Sequence, residues 1–335
     1  MSDFYWPKDI VPNTVQWKLI DNSAVFSSPL SGAVRTVSRP GTRLGCSLSF
    51  TSQQTTNRHR VMGLIAALRG RTNRIWLSDV SSPVRGSFPS AELLTNTTFS
   101  STAGWTSSAA ELALSAETGR MRLSRTGVVA DAYASAPVTT ASGNAYLYRA
   151  GVLKGYGANS YALQLGTTTT GAELVAGASQ SLSGYQQVSA IASGATSYAV
   201  LRDYSATRSA DNFQILDTPS VSRCALVNGA SQTGSGLWLK NLPVSTAGLL
   251  TAGDMVSIYT GTWEMKRVTA DLNSNASGNG YLIFEPSLRV SPSANAPVSI
   301  WRPMSRFLLA NGETNWSTTP GLFSDFTLEF VEDLT

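Results

Sequence analysis

The sequence predicts a mainly β protein in which a discontinuous β-barrel domain with one flanking helix, residues 1–90 and 223–335, is interrupted by a β-sandwich or jelly roll at 91–222. Three observations lead there. Apolar and small polar residues alternate around Leu44, Cys46, Leu48 and Phe50, and the alternation returns at Phe326, Leu328 and Phe330, the period of a strand with one buried face. Helical spacing stands out once, where Val61, Leu64, Ile65 and Leu68 share a side. After Asp79 the chain becomes rich in Ser, Thr, Ala and Gly, with short strand patterns between turns and no convincing helix, which is the texture of a sandwich.

Taken in order, Val15 to Leu19 alternates as a strand, Asp21-Asn22 turns the chain, and Ser28 to Gly41 is an extended run stopped by Arg39-Pro40-Gly41. The strand at Leu44–Phe50 leads to Thr51 and Gln54, spaced to satisfy each other's end of a helix start. The helix should run about 15 to 18 residues and stop at Gly70, which tolerates a left-handed turn. Asn73 to Leu77 is the next strand, and the Pro- and Gly-punctuated stretch from Ser81 to Pro89 marks a domain boundary.

Within 91–222 strands are expected at Met121–Leu123, Ala145–Tyr148, Ser160–Leu165, Ala172–Ala176, Tyr185–Ile191, Ser197–Arg202 and Asn212–Leu216, with Thr218-Pro219 closing the module. Beyond it, Arg223–Val227, Gly234–Lys240, Met255–Tyr259, Trp263–Ala270 and Tyr281–Phe284 form a meander or small barrel. The terminal strand, Phe326–Val331, needs a sheet to join. Residues 1–90 have too few strands to close a core, so the two flanking parts are read as one domain.

Only 14% of the 335 residues are charged, which suits turn-rich β domains and surfaces covered in an assembly better than a free cytosolic enzyme. An acid near the N-terminus, Asp3, and a longest apolar run of eight residues, Val61–Leu68, predict neither a secretion signal nor a membrane span. Cys46 and Cys224, far apart and without a metal-ligand spacing, read as free buried thiols. The net charge of +4 hides an asymmetry: residues 1–90 carry eleven Lys/Arg against four Asp/Glu, while 223–335 carry seven against nine. Nucleic acid is one partner such a basic segment fits, but no aromatic stacking series accompanies it. Pairing of a basic with an acidic segment, within or between subunits, explains the balance better.

The sequence carries no catalytic apparatus of a familiar kind. His59, the single histidine, lies between two arginines on the expected helix, where a solvated role is ordinary. No zinc motif, phosphate-cradling loop, dinucleotide fingerprint or nucleophile elbow is present, and no cofactor is implied. Glu111, Glu117, Asp131, Glu173, Asp203, Asp211 and Asp217 could pair for glycoside cleavage, yet nothing in their spacing selects a pair. Binding has more support. Trp105 and Tyr133, Tyr146, Tyr148, Tyr156, Tyr161, Tyr185, Tyr198 and Tyr204 are many rings for a low-charge module, and exposed rings stack on sugars. Most should pack inside the sandwich; Trp105 in its Gly-containing turn, Tyr156 and Tyr204 are the candidate glycan contacts.

The runs FSSPLSGAVRTVSRPGTRL, LRGRTNRIWLSD, LTAGDMVSIY, RVTADLNSNASGNGYLIFEPSLR and PGLFSDFTLEFVED, in that order, resemble distal tail proteins of long-tailed, siphovirus-like phages. The segments GWTSS, YAVLRDYS and DNFQILD are similar to carbohydrate-binding jelly rolls grafted onto such proteins. The resemblance implies that the discontinuous domain is a tail-tube-like belt domain, assembled into a homohexameric ring in the virion tail after synthesis in the bacterial host cytoplasm. Its implied partners are the tail tube protein, the tail hub and the tape-measure protein, with host-surface polysaccharide as a partner of the insert. In many relatives the second domain follows the belt, whereas here it interrupts it, so no sugar-binding residue is carried over. Arg58, Gly63, Ala67, Arg69 and Arg71, on the faces of the helix left free by its apolar stripe, are the candidate ring contacts. Three function classes stay open: a structural ring, a receptor-binding adhesin acting through the sandwich, and a polysaccharide hydrolase.

Overall fold

The computed structural model describes residues 3–6, 10–37, 41–53, 55–79, 86–127, 131–155, 160–181, 183–204, 213–311, 316–319 and 323–334. The protein is mainly β, with one helix among these residues, Thr55–Leu68. The alternating segments recognised at either end of the sequence are neighbours in one sheet. Phe323–Glu332 lies antiparallel to Arg43–Gln53, with Phe326 opposite Phe50, Leu328 opposite Leu48 and Phe330 opposite Cys46. The sheet runs in the order Asp3–Tyr5, Arg74–Ser78, Met304–Leu309, Phe323–Glu332, Arg43–Gln53, Thr14–Ile20, and Trp316–Thr319 adds a hairpin to the terminal strand. One face buries Leu44, Leu48, Phe50, Phe326, Leu328 and Phe330 with Val61 and Leu68 of the helix. Strands from both sides of the insert are therefore needed to make this core.

Barrel closure falls within a single continuous stretch, and the discontinuous part is the open sheet. Ala225–Val227, Gly236–Lys240, Gly280–Glu285, Trp263–Val268, Met255–Tyr259 and Pro297–Ser299 close in that order around Leu237, Leu239, Val256, Ile258, Leu282 and Phe284. Closure removes the sheet edges that a meander would expose. Barrel and sheet are joined by a buried ionic network. Glu264 holds the Lys266 ammonium at 2.8 Å, Arg289 contacts Glu264 at 3.4 Å and Glu332 at 3.0 Å, and Arg74 reaches Asp333 at 2.6 Å.

The insert is a sandwich of two five-stranded sheets. The first runs Val175–Ala176, Tyr161–Gly166, Thr196–Asp203, Ala132–Thr139, Thr106–Ser107; the second runs Gly184–Ile191, Ala145–Lys154, Phe213–Arg223, Arg120–Arg125, Leu112–Glu117. Between them lie Phe99, Trp105, Met121, Tyr148, Tyr161, Leu163, Leu201 and Leu216, and the buried pair Arg125–Asp203 at 2.8 Å links the sheets.

Several elements depart from the sequence expectation for identifiable reasons. Thr218-Pro219 does not close the module: the strand continues to Arg223 because Thr218 takes a left-handed φ of 48°, and Thr218 and Pro219 bulge opposite Ala150. The extended run Ser28–Gly41 is broken instead into a hairpin of Ala24–Ser27 with Val34–Val37. The helix has 14 residues and ends at Arg69 and Gly70, both left-handed, while the expected Thr51–Gln54 capping pair involves Gln54, outside the described residues.

Cys46 and Cys224 are free and buried, and burial pushes each thiol up to about 12. Both should therefore resist iodoacetamide at pH 8 in the folded protein and react fully once it is denatured, as read by intact mass. Among the described residues no helix is long and apolar enough to cross a membrane.

Candidate functional site

The two sheets of the sandwich have different surroundings. The outer face of the second sheet is its mount. Ala145 and Leu147 pack with Trp76, Cys224, Leu226 and Trp263, and Tyr185 stands 5.4 Å from Tyr5 and 5.6 Å from Trp76. Arg149 crosses the seam and donates to Ser299 Oγ at 3.2 Å and to the carbonyls of Trp301 and Arg302 at 2.6 and 2.9 Å. A cleft of about 420 Å³ lies along this seam between Tyr5, Trp6, Ile10, Trp76 and Tyr185. Its buried charged group, Arg149, is committed to those acceptors, so the cleft has the character of a packing seam.

The first sheet turns its outer face away from the mount. Period-two alternation decides what it carries. Ala132, Ala134, Ala136 and Val138 enter the core, leaving Tyr133, Ser135 and Pro137 outside; Ala199 and Leu201 enter, leaving Tyr198, Val200 and Arg202 outside. Tyr161, Leu163 and Leu165 enter, leaving Ala162 and Gln164 on the sheet's other face, where both are buried as well. Register then assembles rows across the sheet: Tyr133, Arg202 and Ala162; Ser135, Val200 and Gln164; Pro137, Tyr198 and Gly166.

The outcome is a rim of half-buried rings around a buried polar floor. The Arg202 guanidinium lies 4.2 Å from the Tyr204 ring centre and 5.6 Å from that of Tyr133, and donates to Asp131 at 2.7 Å. This arrangement stiffens two tyrosines and a cation into one wall. On the floor, Gln164 is 1% exposed, and neither its carboxamide oxygen nor its nitrogen has a hydrogen-bond partner among the described residues. Buried polar groups are normally matched, so this amide, shielded from solvent at both ends, is an exception in the sheet. Among the described residues Tyr148 Oη and the Gln214 amide are also unmatched, and both lie on strand positions facing the sandwich interior. The loop after Gly166 forms the opposite wall. A Cβ on Gly166 would stand 2.4 Å from the Gly171 carbonyl, so only glycine allows the loop to fold over the sheet there. Glu173 fastens that loop by accepting from Thr168 Oγ at 2.8 Å and Thr167 N at 2.9 Å; a bond from its own backbone N–H, with that of Thr168 Oγ next, holds its carboxyl below the usual range.

The expected contact residues are scattered by this geometry. Tyr204 is on the rim. Trp105 is not: it is 6% exposed, lies 5.8 Å from Phe99, and donates its indole N–H to the Asn96 carbonyl at 3.2 Å, so its turn tucks the ring under the sandwich rather than offering it. Tyr156 lies outside the described residues. Tyr146, Tyr148 and Tyr161 belong to the core, while Tyr133 and Tyr198 share the outer face. Of the carboxylates considered for catalysis, Glu117, Asp131, Asp203 and Asp217 are each ion-paired to an arginine, and Asp211 is outside the described residues. Arg202, Ser135 and Gln164 went unrecognised in the sequence; the strand that supplies Ser135, Ala132–Thr139, is masked there by its alanines and Pro137.

On the helix, Gly63 is exposed, with nothing within 4 Å of where a Cβ would be. Ala67 accepts at its carbonyl from Asn73 at 2.9 Å, Arg58 lies 3.1 Å from His59, Arg69 is exposed, and Arg71 donates to the Ala310 carbonyl.

No family model matches the sequence, and no curated protein matches it. Among solved structures the chain is similar to an arabinose-bound α-L-arabinofuranosidase, at 15% identity over 44% of this chain and 28% of that one, with a TM-score of 0.31. It is similar to the enzymatically active domain of tailspike protein 4 of bacteriophage CBA120, at 9% identity over 39% and 21%, TM-score 0.31. It is also similar to the tandem CBM22 domains of Paenibacillus barcinonensis Xyn10C, at 11% identity over 76% and 100%, TM-score 0.29. The chain thus spans under a third of the first two. Carbohydrate-binding modules and glycoside hydrolases both occur among these neighbours, and scores of this size assign neither family nor activity to the chain.

Proposed function

We propose that the chain is a structural subunit of a ring at the distal end of a phage tail, joining tube to hub, and that its sandwich presents a polysaccharide-binding face outward. The sequence resemblance supports the ring. The observation that carries the binding role is the asymmetry of the sandwich: one sheet is consumed by the mount, while the other groups the half-buried rings of Tyr133, Tyr198 and Tyr204 with Arg202. Rings supply the flat apolar surface that a pyranose face covers, and the Arg202 guanidinium beside them offers donors to neighbouring hydroxyls.

The test is binding of the full chain to a glycan array, repeated with Tyr133→Ala, Tyr198→Ala and Tyr204→Ala. Each substitution should weaken the strongest signal roughly tenfold without altering thermal unfolding beyond the small effect of an outer-face change. A signal unchanged by all three would remove this face as the binding site.

A further inference from the structure

Two apolar surfaces on this chain are uncovered. The hairpin Ala24–Ser27 with Val34–Val37 pairs with no other strand among the described residues. It exposes Val25 by 63%, Phe26 by 58%, Leu30 by 98%, Val34 by 63% and Val37 by 50%. A lone two-stranded hairpin is marginal in water, and one carrying this much apolar surface is stabilised by being covered. The second surface is on the barrel. Alternation along Gly280–Glu285 turns Tyr281, Ile283 and Glu285 outward, and Trp238 lies opposite Tyr281 with ring centres 5.0 Å apart. Tyr281 reaches to 2.0 Å from where a Cβ on Gly236 would stand, so the glycine lets the ring lie across its neighbour and completes a platform.

The two surfaces are complementary. On one face of the hairpin, Ala24, Phe26 and Val37 stand beside Arg35, which is opposite Phe26. On the platform, Trp238, Tyr281 and Ile283 lead to Glu285, whose carboxylate accepts from Ser235 Oγ at 2.8 Å. Neither Arg35 nor Glu285 has an ion-pair partner among the described residues.

We infer that the hairpin of one copy seats on the barrel platform of the next, Phe26 and Val37 against Trp238 and Tyr281, and Arg35 beside Glu285. The contact is heterologous, so every copy uses one hairpin and one platform, and repetition gives a ring when the rotation between copies closes. The inference rests on the ring reading above and names the surfaces that would make it.

Sedimentation velocity on the full chain tests it. A hairpin variant, Phe26→Ser with Val37→Ser, and a platform variant, Trp238→Ser with Tyr281→Ser, should each weaken self-association at least about 30-fold. Mixed together they should form a 1:1 dimer, since one intact hairpin still meets one intact platform. Arg35→Glu should weaken assembly roughly tenfold, and Glu285→Arg in the same chain should restore it. Assembly untouched by these substitutions, or variants that fail to pair when mixed, would overturn this contact and leave the ring standing. A wild-type chain that stays monomeric at every concentration would overturn both.

Discussion

Replacing Glu264 by Gln should cost about 3–5 kcal/mol of stability, read by urea unfolding followed through tryptophan fluorescence. The Lys266 side chain is fully buried, with Glu264 at 2.8 Å and the Ser287 carbonyl at 2.9 Å as its contacts. A glutamine keeps the shape and removes the charge, leaving the ammonium buried without its nearest anion, while Arg289 retains Glu332. The double change Glu264→Gln with Lys266→Met should recover much of the loss, because the desolvation of both charges disappears together. The same pair sets a pH dependence. Burial raises the Glu264 carboxyl, but the charge and hydrogen bond of Lys266, aided by Thr260, outweigh it and hold the group below its ordinary value of 4.5. A folded-state value below the unfolded one gives a contribution complete above the ordinary carboxylate range and lost as pH falls through the folded value. The wild type should lose this component in acid, and the Gln variant should lack it.

Arg149→Met should loosen the sandwich from its mount at a cost of about 3 kcal/mol. The guanidinium is 2% exposed and serves three acceptors, two of them carbonyls at the turn that follows the barrel's last strand. Methionine fills part of the space and withdraws the donor from both carbonyls, of which that of Trp301 keeps the Ser299 hydroxyl at 3.0 Å. Because Arg149 faces away from the sandwich core, the sandwich itself should stay folded. Thermal unfolding should therefore change from one transition toward two, and protease should cut first in the connections around residues 86–93 and 223. Lys at this position should rescue little, since one ammonium cannot span acceptors arranged for a planar fork. An unchanged single transition in Arg149→Met would show that the mount depends on the apolar cluster around Trp76 and Leu147 alone.

The fold was legible where one face of a strand is buried and the other is wet. Leu44–Phe50 and Phe326–Val331 announced themselves by alternation, although nothing in either said that they would lie side by side. Strands buried on both faces or built from alanine were harder: Ala132–Thr139 carries Pro137 and little bulk, and its inward positions are Ala132, Ala134, Ala136 and Val138. The candidate site was legible only as a surplus of rings. Parity along the strands sorts them. Tyr161 shares its face with Leu163 and Leu165 and is buried, whereas Tyr198 shares its face with Arg202 and stays half exposed. That rule fails at Tyr146 and Tyr148, because the opposite face of the same strand, with Ala145 and Leu147, is buried against the mount. Trp105 illustrates a different limit: a Gly-containing turn says where the chain bends, and only the packing around Phe99 says where the indole goes.

We propose that this chain builds a closed ring from two unlike surfaces while its sandwich faces outward, and native mass measurement of the chain at micromolar concentration reads that assembly. A single closed species at six times the chain mass, falling to monomer in the hairpin variant, is the predicted result. A wild-type chain that remains monomeric as concentration is raised would contradict it.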